Sequence, residues 1–109
     1  MKLHRQQRVS KLIKEYLNEL ILRYSEFPGA LATITEVEVS PNLKTAKVKI
    51  SVLPTEKSAD VLKILSKRAG ELQYLLNRKL NIRPMPRIEF VLDFGLEKAA
   101  RIEKQLMNE

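Results

Sequence analysis

Two long stretches of the chain carry apolar residues at helical spacing. In the first, Val9, Leu12, Ile13, Tyr16, Leu17, Leu20, Ile21 and Tyr24 recur on one side, which predicts an amphipathic helix over residues 5–24. In the second, Val61, Leu62, Leu65, Ala69, Leu72 and Leu76 form one stripe of a helix over residues 58–80. Gly70 falls in the middle of that stripe. A glycine in a helix interior costs roughly 0.5–1 kcal/mol relative to alanine, so it calls for a packing reason or a bend. The stripe keeps its phase across Gly70, which points to a kink and not a break. Ser58 fits the N-cap of this helix, with Asp60 favourably placed in its first turn.

Three shorter segments alternate instead. Over residues 31–40, Thr33, Thr35, Val37 and Val39 share one side and Ile34, Glu36 and Glu38 the other. Over residues 45–53, Ala46, Val48, Ile50 and Val52 point inward and Lys47, Lys49 and Ser51 outward. Over residues 87–93, Ile88, Phe90 and Leu92 alternate with Glu89, Val91 and Asp93. Pro28 and Gly29 supply the dihedrals of a type II turn after the first helix. Ser40, Pro41 and Asn42 make a link too short for a crossover, so the first two strands pair antiparallel. Pro84 and Pro86 forbid continuation of the second helix. A short tail helix is expected over residues 97–107, with Ala99, Ala100, Ile102 and Leu106 as its apolar content. Helix, strand, strand, kinked helix, strand and tail helix make a two-layer α+β domain, with both long helices on one face of a three-stranded sheet.

A chain of 109 residues forms a single domain with one small core. Its 44% hydrophobic content argues for a folded chain, and its 30% charged residues for a well-solvated surface. Twenty Lys and Arg against 13 acids give a net charge of +7, a balance suited to a polyanionic partner. The absence of cysteine excludes disulfides, thiol nucleophiles and thiolate metal sites. His4, the only histidine, lies at the start of the chain, and no catalytic or metal role is assigned to it. No apolar run reaches the ~18 residues of a membrane span, and the N-terminus lacks the apolar core of a signal peptide, so a cytoplasmic protein is expected.

No nucleophile and base can be paired, and Glu36 and Glu38 read as solvated strand carboxylates, so no enzymatic activity is expected. Asp93, Phe94 and Gly95 spell the magnesium motif of kinases without the accompanying glycine-rich and catalytic loops; the match is accidental. Neither a cofactor nor a small-molecule substrate is expected.

The basic residues are unevenly spread. Lys2, Arg5, Arg8, Lys11 and Lys14 all precede the first acid of the chain, Glu15. Cations at a helix N-terminus face the positive end of its dipole and cost a few tenths of a kcal/mol, so local stability does not account for them. A second group, Lys63, Lys67, Arg68, Arg78 and Lys79, lies on and around the kinked helix, and Arg83 and Arg87 bracket the prolines. These ten positions (Arg5, Arg8, Lys11, Lys63, Lys67, Arg68, Arg78, Lys79, Arg83 and Arg87) are the candidate phosphate contacts; the plainer reading is a solvated face. Aromatics that could stack on bases are few, and Tyr74 alone lies off the apolar stripe of its helix.

Taken in order, the residues resemble a known family. Arg5, Arg8 and Val9 on the first helix, then Val37, Val39, Ser40, Leu43, Ala46, Val48, Ile50 and Ser51 through the hairpin, follow the pattern of the ribosome-binding factor A family. Gly70, Leu75, Leu76, Arg83, Pro86, Phe90 and Asp93 continue it. The resemblance implies a type II KH-like fold. KH domains grip nucleic acid through a G-x-x-G loop. The three glycines here are Gly29, Gly70 and Gly95, so that loop is absent. Its place in the family is taken by a kink, which aligns with Arg68, Ala69 and Gly70. Arg68 stands where the family has alanine, Asn42 where it usually has aspartate and Gly95 where it usually has serine.

The function so implied is that of a non-enzymatic assembly factor. It would bind the immature 30S subunit and 16S ribosomal RNA and support late maturation, including processing of the 16S 5′ end. A monomer is expected. Two other readings compete with it: a basic nucleic-acid binder acting by charge alone, and a protein-interaction module without RNA specificity.

Overall fold

A computed structural model describes residues 2–24, 27 and 29–94. Helix α1 spans Lys2–Tyr24, strand β1 Leu31–Val39, strand β2 Thr45–Leu53, helix α2 Ser58–Lys79 and strand β3 Arg87–Leu92. The expected tail helix over residues 97–107 lies outside the described residues. The strands form one sheet in the order β1-β2-β3, with β1 antiparallel and β3 parallel to β2. A parallel neighbour requires a crossover, and α2 supplies it. The core lies between the helices and one face of the sheet, built from Val9, Ile13, Leu17, Leu20 and Ile21 of α1, from Val61, Leu65, Leu72 and Leu76 of α2, and from the inward residues of every strand.

The alternation in β1 differs from its sequence reading. Ala32, Ile34, Val37 and Val39 are the buried positions, so Thr33 and Thr35 do not share a face with the valines. The pairing with β2 shifts between Ile34 and Glu36. This extra residue in β1 is a bulge, and it lets Ile34 and Val37 both face the core although two residues, Thr35 and Glu36, lie between them where regular alternation would have one. Thr35 is held at the bulge by its hydroxyl, which donates to Asp93 Oδ2 at 2.6 Å.

Turns are built by the residues that the sequence supplies. The amide of Ala30 donates to Phe27 O at 2.9 Å and Gly29 has φ +70°, as a type II turn requires at its third position. Between β1 and β2, Leu43 takes a left-handed φ of 61°. Asn42 Oδ1 accepts from Ser40 Oγ and from the amide of Lys44 at 2.6 and 3.0 Å, so asparagine closes this loop in place of aspartate.

Helix α2 begins differently from its sequence reading. A short 3-10 turn over Thr55–Lys57 leads into it, Lys57 occupies the cap position without a side-chain cap, and Ser58 is already helical and buried. The extra turn puts Lys57 at the cap and the serine at the first helical position. At the other end Gln73 fastens α2 to β3, donating from Nε2 to Pro86 O at 3.1 Å and accepting the Ile88 amide at 2.8 Å. Replacing Gln73 by alanine leaves both half-buried backbone groups unpaired and is expected to cost about 1–3 kcal/mol. Urea denaturation compared with the unaltered protein checks this: a lower midpoint at unchanged slope is the expected result.

Candidate RNA-binding surface

The flanks of α1 divide its polar residues into two classes. On the flank beside β1, Gln6 Nε2 donates to Val39 O at 2.9 Å and Lys14 Nζ to Thr35 O at 3.2 Å, while Asn18 Oδ1 accepts the Ile34 amide at 3.4 Å. These side chains cover the outer edge of an edge strand, which would otherwise expose unpaired backbone groups. Lys14 therefore has a structural task. The groove along this flank, about 740 Å³, is lined by Gln6, Gln7 and Ser10 and by Glu36 and Glu38. It is slightly larger than the cleft on the opposite flank, but Lys47 also lines it and its charges are balanced, so it offers no excess of positive charge to a phosphate backbone.

The opposite flank of α1 faces the end of α2. There Arg5 and Arg8 meet Lys79 and Arg83 around a cleft of about 670 Å³, floored by Val9, Leu12, Leu80 and Ile82. All four basic residues are exposed, and no acidic side chain lines the cleft. One Arg5 guanidinium nitrogen lies 3.5 Å from Arg83 O. Like charges gathered without a counter-charge repel one another, and an anion relieves that repulsion by binding among them. Lys79, with Arg78, also completes the last turn of α2, where cations complement the helix dipole. Arg5 and Arg8 have no such compensation, since α1 carries no acid in its first turn.

The remaining candidates occupy three other places. Lys11 is exposed on the outward side of α1, opposite the buried stripe. Lys63 and Lys67 are exposed on the outward side of α2, together with Gly70 and Tyr74. Arg78 is exposed beside Tyr74, its guanidinium carbon 5.8 Å from the ring centre. Arg68 is half-buried and has a partner within the chain, so it stands apart from the freely exposed bases.

Arg87 sits on the open face of the sheet, because its neighbours Ile88 and Phe90 fill the core side. That face is charge-balanced by register: Glu36 pairs with Lys49, Glu38 with Lys47, and Lys47 with Glu89. The excess of basic side chains thus belongs to the helical layer, and Arg87 is separated from it.

Lys49 anchors the balanced face, its ammonium 2.9 Å from Glu38 and 3.3 Å from Glu36. Hydrogen bonds to Glu38 and then to Glu36 raise its pKa above the ordinary 10.5. A lysine pKa raised by folding stabilises the protein fully below pH 10.5, and the contribution is lost as pH rises through the raised value. In alkaline unfolding titrations, Lys49→Met is expected to remove the part of the stability loss that starts above that pH. A curve unchanged by the substitution would show that the contacts do not persist in solution.

Gly70 is exposed, and a Cβ added to it would meet nothing within 4 Å. Helix α2 runs through it without interruption, so it is no break. Packing within the chain does not require glycine here. Gly70→Ala is expected to stabilise the protein by about 0.5–1 kcal/mol through helix propensity, a gain that equilibrium urea unfolding reads directly.

The polar clamps of Gln6, Lys14, Asn18 and Gln73, and the bulge at Thr35, escape sequence reasoning because each joins positions far apart in the chain. Among the described residues no group of histidine, cysteine or carboxylate side chains is placed to hold a metal ion, and no helix is long and apolar enough to cross a membrane.

A profile of the family "Ribosome-binding factor A" matches residues 5–106. The chain belongs to the ribosome-binding factor A family. Its members are ribosome-binding factors and not enzymes. The ribosome-binding factor A of Coxiella burnetii is 41% identical over 99 residues, covering 90% of this chain and 83% of the relative. The crystal structure of ribosome-binding factor A from Thermus thermophilus superposes with a TM-score of 0.60 at 24% identity, over 84% of this chain and 94% of that one. A homology model of the Thermus thermophilus factor, fitted into a cryo-electron-microscopy map of its complex with the 30S subunit, superposes with a TM-score of 0.63 at 24% identity over the same shares of the chains. These likenesses confirm the KH-like arrangement of helices over a three-stranded sheet.

Proposed function

We propose that the protein binds the small ribosomal subunit through its helical layer and contacts 16S ribosomal RNA there, acting in the cytoplasm as a monomer without catalysis of its own. The observation that carries this reading is the cleft in which Arg5, Arg8, Lys79 and Arg83 gather without an acid among them. Phosphates of a folded RNA supply the missing counter-charge, and each phosphate neutralised releases condensed counterions. Family membership supports the choice of polyanion, as does the fitting of the Thermus thermophilus factor into a 30S complex. Lys11, Lys63, Lys67 and Arg78 extend the basic surface over both helices, and a bend at Arg68, Ala69 and Gly70 would let α2 follow a curved RNA backbone. Arg68 and Arg87 contribute least, Arg68 being half-buried and Arg87 lying on the open sheet face.

Shape and phosphate positions, more than base sequence, are what such a surface reads. The task served is late maturation of the subunit, including processing of the 16S 5′ end. Co-sedimentation with small subunits, large subunits and complete ribosomes tests the binding. Selective migration with small subunits that survives moderate salt is the expected outcome; equal binding to every particle, lost as salt rises, identifies a general polyanion binder instead. Mapping of 16S 5′ ends in cells depleted of the protein tests the processing role, with accumulation of extended precursor ends as the expected result.

A further inference from the structure

Tyr74 is 59% exposed toward the end of the outward face of α2, an unusual place for a large aromatic ring with no partner in the core. Side chains on a helix lean toward its N-terminus and cover the preceding turn, so Arg78 reaches back over Tyr74 and Tyr74 reaches back toward Gly70. Arg78 does so: its guanidinium lies over the ring at 5.8 Å, and its Nη1 is 3.5 Å from the phenol oxygen. On the other side, the position one turn before the ring is Gly70, which carries no side chain, and the space where its Cβ would stand is open. The ring therefore has a cation over it from the turn that follows, and the position one turn before it carries no side chain. Lys67 and Lys63 continue the same exposed face toward the start of the helix.

We infer that Tyr74 is a stacking platform for an unpaired nucleobase of RNA, with Gly70 leaving room for the base and Lys63, Lys67 and Arg78 holding the flanking phosphates. The inference rests on the RNA-binding reading above and gives that surface a single-stranded element to recognise. Every base offers a π-face, so the platform tolerates different bases but requires that they be unpaired. Purines stack more extensively than pyrimidines, which favours adenine over uracil at this position. Charge favours an anionic partner, because the exposed Lys63, Lys67 and Arg78 on this stretch of the helix outnumber its one exposed acid, Glu71.

The chain has no tryptophan. Tyr74→Trp therefore retains a stacking ring and introduces a single fluorophore at the site in question. The intact protein, Tyr74→Ala and Tyr74→Trp are titrated with single-stranded oligoadenylate, with oligouridylate and with a blunt RNA duplex. Small-subunit co-sedimentation of the same three proteins is run in parallel. Tyr74→Ala is expected to weaken oligoadenylate binding about fivefold or more while leaving duplex binding and the salt slope unchanged, since base–aromatic stacking is worth about 1–3 kcal/mol. Tyr74→Trp is expected to bind as the intact protein does and to be quenched by oligoadenylate more than by duplex.

Equal oligoadenylate affinity for all three proteins, with no quenching, overturns the inference even if the intact protein still migrates with small subunits. Loss of subunit binding on Tyr74→Ala without any effect on oligoadenylate also overturns it, since the ring would then be touching a ribosomal protein. Failure of the intact protein to select small subunits would count against the proposed function and leaves the oligonucleotide titrations to decide the stack by themselves. Because Tyr74 is exposed, the alanine variant folds, and thermal unfolding verifies that it does.

Discussion

Neutralising Arg5, Arg8, Lys79 and Arg83 together to alanine is expected to weaken small-subunit binding by as much as roughly a thousandfold at about 0.1 M salt. Every phosphate interaction removed lowers the slope of log affinity against log salt by roughly 0.7–0.9, so removing four lowers it by about 3. At a tenth-molar salt that slope difference is itself about three decades. The four side chains are exposed and line one cleft, so the substitution removes charge without opening the core. It also relieves repulsion among like charges, and thermal stability is expected to hold. A parallel set, Lys47→Ala with Arg87→Ala on the open sheet face, is expected to leave subunit binding nearly unchanged. If the cleft variant retained both affinity and slope, phosphate contacts would have to be sought elsewhere on the protein.

Leu65→Ala is expected to destabilise the fold by about 2–5 kcal/mol, the range for a buried leucine whose cavity cannot collapse. Leu65 has no exposed surface, and it lies where α2 packs against the centre of the core. A domain of this size has a total stability of only about 5–15 kcal/mol, so the loss is a large fraction of what holds it together. The melting temperature should fall by roughly 10 °C or more, and the urea midpoint should fall with it at unchanged slope. Leu53, which is 63% exposed, is the matched control. Leu53→Ala is expected to change stability by no more than about 0.5 kcal/mol. Similar losses at both positions would mean that the core is not organised around α2.

Local pattern was enough to place the two long helices, the three strands and their layering, since each element repeats its own period over many residues. Val48 and Ile50 announce an inward strand face simply by alternating with Lys47 and Lys49. Alternation misleads in β1, because the bulge at Thr35 adds a residue, and the contact made there, the hydroxyl of Thr35 on Asp93, joins positions more than half the chain apart. The start of α2 misleads for a related reason. Ser58 has the chemistry of a cap, but after the 3-10 turn Lys57 takes the cap position and the serine is the first, buried residue of the helix.

Charge was legible as composition but not as geometry. Nothing local to Arg5, Arg8, Lys79 and Arg83 says that α1 and the end of α2 bring them to one cleft. Nor does anything local to Lys14 say that its ammonium serves the edge of β1, or local to Arg87 that it falls on the charge-balanced side of the sheet. Tyr74 was set apart by its place off the apolar stripe. Its pairing with Arg78 follows from helical spacing, whereas the open space before it comes from the glycine.

The claim that the helical layer, and not the open sheet face, meets the ribosomal RNA is tested most directly by site-specific cross-linking on small subunits. The chain has no cysteine, so single cysteines can be introduced without background. Asn81→Cys at the rim of the basic cleft and Lys63→Cys on the outward side of α2 report on the helical layer; Thr33→Cys reports on the open sheet face. A short photo-activated cross-linker at Asn81→Cys and Lys63→Cys is predicted to capture 16S ribosomal RNA, and the same reagent at Thr33→Cys to leave it untouched. Capture from Thr33→Cys with none from the other two would place the RNA on the opposite face and contradict the account.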